Sequence, residues 1–128
     1  MYLIQCVNAY TAVLAMAEKE CAYKTSYALV MLKRKLQPHI DFFVSREMEL
    51  VKTYARKDDD GKIAMTERGK FIFEDPEKAE EYENQRRQLG MVEVLEEFKP
   101  VRVPVPSSIS VIHLEALEGF LEFEGGDV

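Results

Sequence analysis

One periodic stretch limits what this chain can become. Apolar residues fall at Leu29, Leu32, Leu36, Ile40, Phe43, Val51 and Tyr54, with Glu47 interrupting the series. Spacing by threes and fours is the signature of one buried helix face. Tyr23, Tyr27 and Val30 lead into it from a neighbouring stripe, while Lys33, Arg34, Lys35, Asp41, Arg46, Glu49 and Lys52 occupy the faces that suit water. Residues 23–54 therefore predict a helical spine. Pro38 lies inside it. A proline there removes a backbone hydrogen bond and crowds the carbonyl of Arg34, at about 3 kcal/mol; in the first turn of a second helix it costs almost nothing. The expectation is a kink or a short break bounded by Gln37, with the kink favoured because the apolar stripe keeps its phase. An unbroken helix would run roughly 50 Å at 1.5 Å per residue. A compact chain of 128 residues is short for covering that length, so the helix is expected to bend back or to be buried partly by a second subunit.

The length suits a single domain over 1–128, with a helical half over 1–57 and a mixed strand and helix half over 58–128. A formal net charge of −6 argues against general nucleic-acid binding, which needs a positive field to displace counterions. Cys6 and Cys21 form no CxxC, and His39 and His113 lie far apart, so a structural zinc site is not expected. Free thiols are the default, with a Cys6–Cys21 disulfide left open. No basic segment precedes an apolar run at the N-terminus, and no window approaches a membrane span. A cytoplasmic protein follows.

Several local signals place the remaining elements. Met1–Val7 reads as a short strand, after which Asn8 caps an Ala-rich helix over Ala9–Glu20. Asp60-Gly61 is a turn signal, with short strands over Ile63–Met65 and Lys70–Phe73 as a hairpin or arm. Asp75-Pro76 opens a third helix, acidic at its start and basic at Arg86 and Arg87, with Gly90 expected just beyond its end. Met91–Phe98 has strand character. Val101–Pro106 is extended, because each proline pushes the residue before it out of the helical region, and it suits a sheet edge. Ser107 or Ser108 is expected to cap a helix over Ile109–Leu117 that Gly119 ends. Phe120, Leu121 and Phe123 read as a last strand, with fraying from Glu124 onward. No internal repeat is evident. The fold class predicted is α+β: a long helical spine, a shorter packed helix and a small antiparallel sheet from the C-terminal half.

Chemistry-bearing motifs are sparse. From Arg56, the EF-hand pattern is met at Asp58, Asp60, Gly61, Ile63 and Glu67, but a cation stands where the first ligand belongs. An acidic turn held by Asp-Gly chemistry is the favoured reading. His113, Glu115 and Glu118 are spaced so as to point apart on a short helix. Glu93, Glu96 and Glu97, with the acidic run Glu77–Glu83, read as solvated faces. No phosphate-binding, nucleophile-elbow or zinc-protease motif occurs, so no catalytic residue, cofactor or metal is assigned. A metal-dependent hydrolase using Asp58–Asp60 is the weakest of three functional readings.

Taken in order, Tyr27-Ala28-Leu29 leading a long charged helix, Leu50-Val51-Lys52-Thr53-Tyr54, Asp59-Asp60-Gly61, Phe73–Lys78, Val92-Glu93-Val94 and Leu114–Phe123 resemble a family of small proteins of unknown function encoded by phages and prophages of Gram-positive bacteria. The resemblance spans nearly the whole chain and implies a protein working inside a bacterial cell or within a virion; it carries no catalytic residues. The leading expectation is a non-enzymatic interaction or assembly protein acting through protein–protein contacts, and a homo-oligomer. Its expected contact residues are Val101, Val103 and Val105 on the extended edge and Glu77, Glu80, Glu81 and Glu83 on the acidic helix. The alternative is an acidic inhibitor that docks those glutamates onto a basic host factor.

Overall fold

A computed structural model describes residues 1–106 and 108–124. Four helices and two strands follow in the order α1 (Leu3–Ala17), α2 (Tyr23–Tyr54), α3 (Pro76–Gly90), β1 (Val101–Pro104), α4 (Val111–Leu117) and β2 (Leu121–Glu124). The α+β class is as the sequence predicts.

The N-terminal strand expected over Met1–Val7 is instead the start of α1. Leu3, Cys6, Ala9, Val13 and Met16 recur by threes and fours and are all buried, so helical periodicity begins before Asn8, which lies exposed in mid-helix. The backbone N–H of Tyr2 donates to Gln5 Oε1 at 2.7 Å and secures the first turn. Small residues on the buried face, Ala9 and Ala12, let α1 lie close against its neighbours.

Helix α2 runs without a break through Pro38, so the boundary expected at Gln37 does not form. Its buried stripe is covered from within one chain by two separate clusters. The first joins Ala28, Leu29, Leu32 and Leu36 to α1, Val103, Leu117, Phe120 and Leu121. The second joins Val51 and Ala55 to Tyr82 of α3, with Ile63, Phe71 and Phe73 packed around them. Between them, Phe43 is buried beneath the guanidinium of Arg86, 5.5 Å from the ring, and Arg86 Nε donates to Glu47 Oε2 at 2.6 Å. Glu47, the interruption in the apolar stripe, is thus the residue that fastens α3 to α2.

Residues 55–73 form a closed triangle rather than a simple hairpin. Segment 55–57 bridges 71–73 at one end (Ala55 with Phe73) and 63–65 at the other (Lys57 with Ile63), and Met65 with Phe71 closes the figure. At its centre three backbone bonds run in a ring: Arg56 N–H to Ile72 O at 2.7 Å, Ile72 N–H to Ala64 O at 3.0 Å, and Ala64 N–H to Arg56 O at 2.8 Å. The two turns are copies displaced by eight positions, Asp58-Asp59-Asp60-Gly61-Lys62 and Thr66-Glu67-Arg68-Gly69-Lys70. Asp58 Oδ1 accepts from Lys62 N–H and Thr66 Oγ1 from Lys70 N–H, and Gly61 and Gly69 share φ +79°. This short repeat corrects the expectation that none exists.

Asp75 caps α3 as expected, its Oδ1 accepting from Lys78 N–H at 2.8 Å. Gly90 is not beyond the helix but in its last turn and buried. A Cβ there would stand 3.1 Å from Ile4 Cβ, so its role is close approach of α3 to α1. Met91–Phe98 makes a single bridge, Glu93 with Tyr2, and no regular strand.

β1 and β2 pair parallel, Val101 with Leu121 through Pro104 with Glu124. The antiparallel sheet expected from sequence is thereby corrected. The stretch 105–120 contains α4 and returns the chain to its starting side, as a parallel pair requires and a tight turn would not. Ser110, not Ser108, caps α4, with Oγ accepting from His113 N–H; Ser107, the other expected cap, lies outside the described residues, as do 125–128. Gly119, at φ +88°, ends the helix as expected.

Candidate interaction surface

An apolar groove of about 750 Å³ lies between the first half of α2 and the β1–β2 pair. Tyr27, Ala28, Met31 and Leu32 form one wall, and Phe98, Val101, Phe120 and Leu121 the other. The helical wall arises because α2 carries Tyr27 and Met31 one turn apart and beside its buried stripe. The core takes the buried stripe and leaves both to solvent: Tyr27 is 69% exposed, Met31 44% and, across the groove, Val101 48%.

The opposite wall is fastened to α2 by polar contacts. Lys35 Nζ donates to Glu97 O at 2.8 Å and lies 4.7 Å from the centre of the Phe98 ring. His39 Nε2 is 2.9 Å from Glu96 Oε2. Phe98 in turn meets Phe120 edge-on at 5.0 Å. Thr25, almost fully buried, donates from Oγ1 to Pro104 O at 3.1 Å and ties β1 to α2.

The groove's rim is cationic although the chain is acidic. Lys24, Arg34, Lys35 and Lys99 line it, against one carboxylate, Glu97. Lys24 pairs with Glu124 at 3.5 Å and Lys35 approaches Glu96 at 4.0 Å, both pairs well exposed. Arg34 and Lys99 have no ion-pair partner among the described residues.

The residues singled out from sequence are scattered. Val101 is on the groove, but Val103 is fully buried in the core and Val105 is half-buried; strand alternation sends Val103 inward. Val103 therefore has no exposed surface to offer a partner. Glu77, Glu80, Glu81 and Glu83 are all exposed on α3, distant in sequence and element from the groove. His113, Glu115 and Glu118, expected to point apart, border a common cleft of about 460 Å³ with Gln5, Asn8 and Thr11 of α1. Among the described residues, no three His, Cys, Asp or Glu side chains are arranged to hold a metal ion. Asp58 Oδ1 accepts from both Asp60 N–H and Lys62 N–H, as an acidic turn does. Cys6 is buried with its Sγ 3.9 Å from Met1 Sδ, and burial, with Glu96 adding to it, pushes its thiol pKa up. Cys6 and Cys21 are both free, so the disulfide left open by the sequence does not form. Among the described residues, no helix is long and apolar enough to cross a membrane.

Compared with protein-family models, with curated proteins and with solved structures, the chain finds no match in any of the three.

Proposed function

We propose that the chain is a non-enzymatic protein-binding module whose working surface is the groove between α2 and the β1–β2 pair. The observation that carries this reading is the exposure of Tyr27, Met31 and Val101 around one concavity. Contiguous apolar surface left open by a fold is commonly an interaction site. The sequence resemblance adds a setting, a phage-derived assembly partner in the bacterial cytoplasm or the virion. The expected homo-oligomer rests on the length of α2, but two internal clusters cover the buried stripe of that helix, so its length does not by itself require a second subunit.

The anionic, apolar dye anilinonaphthalene sulfonate matches both the lining and the rim. It should bind the native protein saturably, and Met31→Glu should abolish that binding without altering the far-ultraviolet circular dichroism. Absence of binding, or binding indifferent to Met31→Glu, would remove the groove as the working surface.

A second reading has its own support. Glu77, Glu80 and Glu81 share the face of α3 opposite buried Tyr82 and make no ion pair among the described residues. That face suits an acidic inhibitor of a basic factor, and its binding should weaken steeply with salt.

A further inference from the structure

The groove's rim identifies its occupant's charge. We infer that the groove receives an acidic segment of a partner protein, anchored by apolar side chains between Tyr27, Met31 and Phe98 and steered by Arg34 and Lys99. This rests on the groove reading above and adds the partner's chemistry to it.

Three observations converge. The chain carries a formal net charge of −6, yet four cations line this apolar groove against Glu97, and even with Glu124 and Glu96 held by Lys24 and Lys35 Arg34 and Lys99 remain in excess. Such local inversion is unexpected on an acidic surface and attracts carboxylates selectively. Two of the cations, Arg34 and Lys99, are exposed and hold no salt bridge among the described residues. Of the other two, Lys24 holds an exposed pair that contributes little, while Lys35 fastens the Glu97–Phe98 segment.

Pairing of two α2 helices is a poor way to fill the groove. The exposed apolar residues of α2 continue past the groove to Phe42, 45% exposed. Antiparallel pairing of two α2 helices that set Tyr27 against Phe42 would centre between Arg34 and Lys35. Each copy's cations would then face the same cations of the other, and like charges at an interface centre oppose association. The acidic face of α3 offers the right charge, but the exposed large apolar residues nearest to it, Met91 and Val92, lie at and beyond the C-terminal end of the helix, away from Glu77, Glu80 and Glu81. A fatty acid shares the chemistry of an anionic head and an apolar body. With Tyr27, Met31 and Val101 about half-exposed or more, however, the groove leaves an acyl chain wet on one side, which suits a peptide whose outer face is polar.

Fluorescence polarisation tests this with three labelled peptides of one apolar pattern, Leu and Phe anchors separated by Glu, by Gln or by Lys. At low salt the Glu peptide should bind about tenfold tighter than the Gln peptide, the difference shrinking at about 0.5 M salt. Arg34→Glu with Lys99→Glu should transfer the preference to the Lys peptide. Arg34→Gln with Lys99→Gln should erase the preference while retaining affinity for the Gln peptide. Equal binding of the Glu and Gln peptides by the unaltered protein, with the dye still bound, would overturn the acidic partner and leave the groove reading standing. Displacement of the dye by palmitate but by no peptide would overturn it in favour of a lipid. Failure of dye and peptides alike would remove both readings.

Discussion

At the residue scale, the glycines of the two turns are fixed by backbone geometry. Gly61 and Gly69 both sit at φ +79°, and a Cβ at Gly61 would meet nothing within 4 Å while one at Gly69 would just reach Met65. The cost of a side chain there is therefore conformational, not steric crowding. Gly61→Ala and Gly69→Ala should each destabilise by about 1 kcal/mol, measurable by urea denaturation; because the turns repeat one geometry, the two losses should be alike. Tyr82 supplies a pH test. Burial, reinforced by Glu47 and Glu83 and opposed by Arg86, raises its hydroxyl above the ordinary value of 10.0. Below that value the phenol is neutral in both folded and unfolded chains and its contribution is fully present. As pH rises through the raised folded-state value that contribution is lost. Stability should fall above pH about 10, and Tyr82→Phe should flatten the decline. The turn chemistry was readable at Asp58–Lys62, where Asp-Gly announces itself. The turn at Thr66–Gly69 was readable as well, but that the two turns repeat one geometry was not, because two five-residue copies differ in all but their Gly-Lys ends.

Among the elements, α2 organises the others by presenting one apolar stripe to two clusters. Its limits and buried face were legible because 3.6-residue periodicity persists over many turns. Pro38 did not break it, since packing at Leu36 and Phe43 on either side offsets the local penalty. Pro38 is exposed, so Pro38→Ala should stabilise the protein by about 1–3 kcal/mol, seen as a raised denaturation midpoint. A fall in stability would mean that the proline shapes the helix in a way the packing needs. Two elements were hidden for physical reasons. The start of α1 mixes Tyr2 and Ile4 into an apolar run too short to distinguish strand from helix. The direction of the β1–β2 pair depends on α4 as a crossover, which residue patterns alone do not specify.

Seen as a whole, the molecule is a helical spine with a cluster at each end. An acidic α3 accompanies one cluster, and a cation-rimmed apolar groove lies beside the other. The groove was half visible in sequence. Tyr23, Tyr27 and Met31 repeat at one-turn spacing, but a second stripe next to a buried one reads as more core until the wall opposite is known. Phe98, Val101 and Phe120 reach that wall from remote positions, brought there by contacts such as His39 with Glu96 and Thr25 with Pro104. On the function proposed above, a partner docks in this groove and not on the acidic face of α3. Amide chemical-shift mapping on titration with the Glu peptide tests it most directly. Shifts should concentrate in residues 24–35, 97–101 and 120–121, with α3 unmoved. Shifts absent from the groove, together with shifts at Glu77, Glu80 and Glu81 on addition of the Lys peptide, would contradict it and move the working surface to α3.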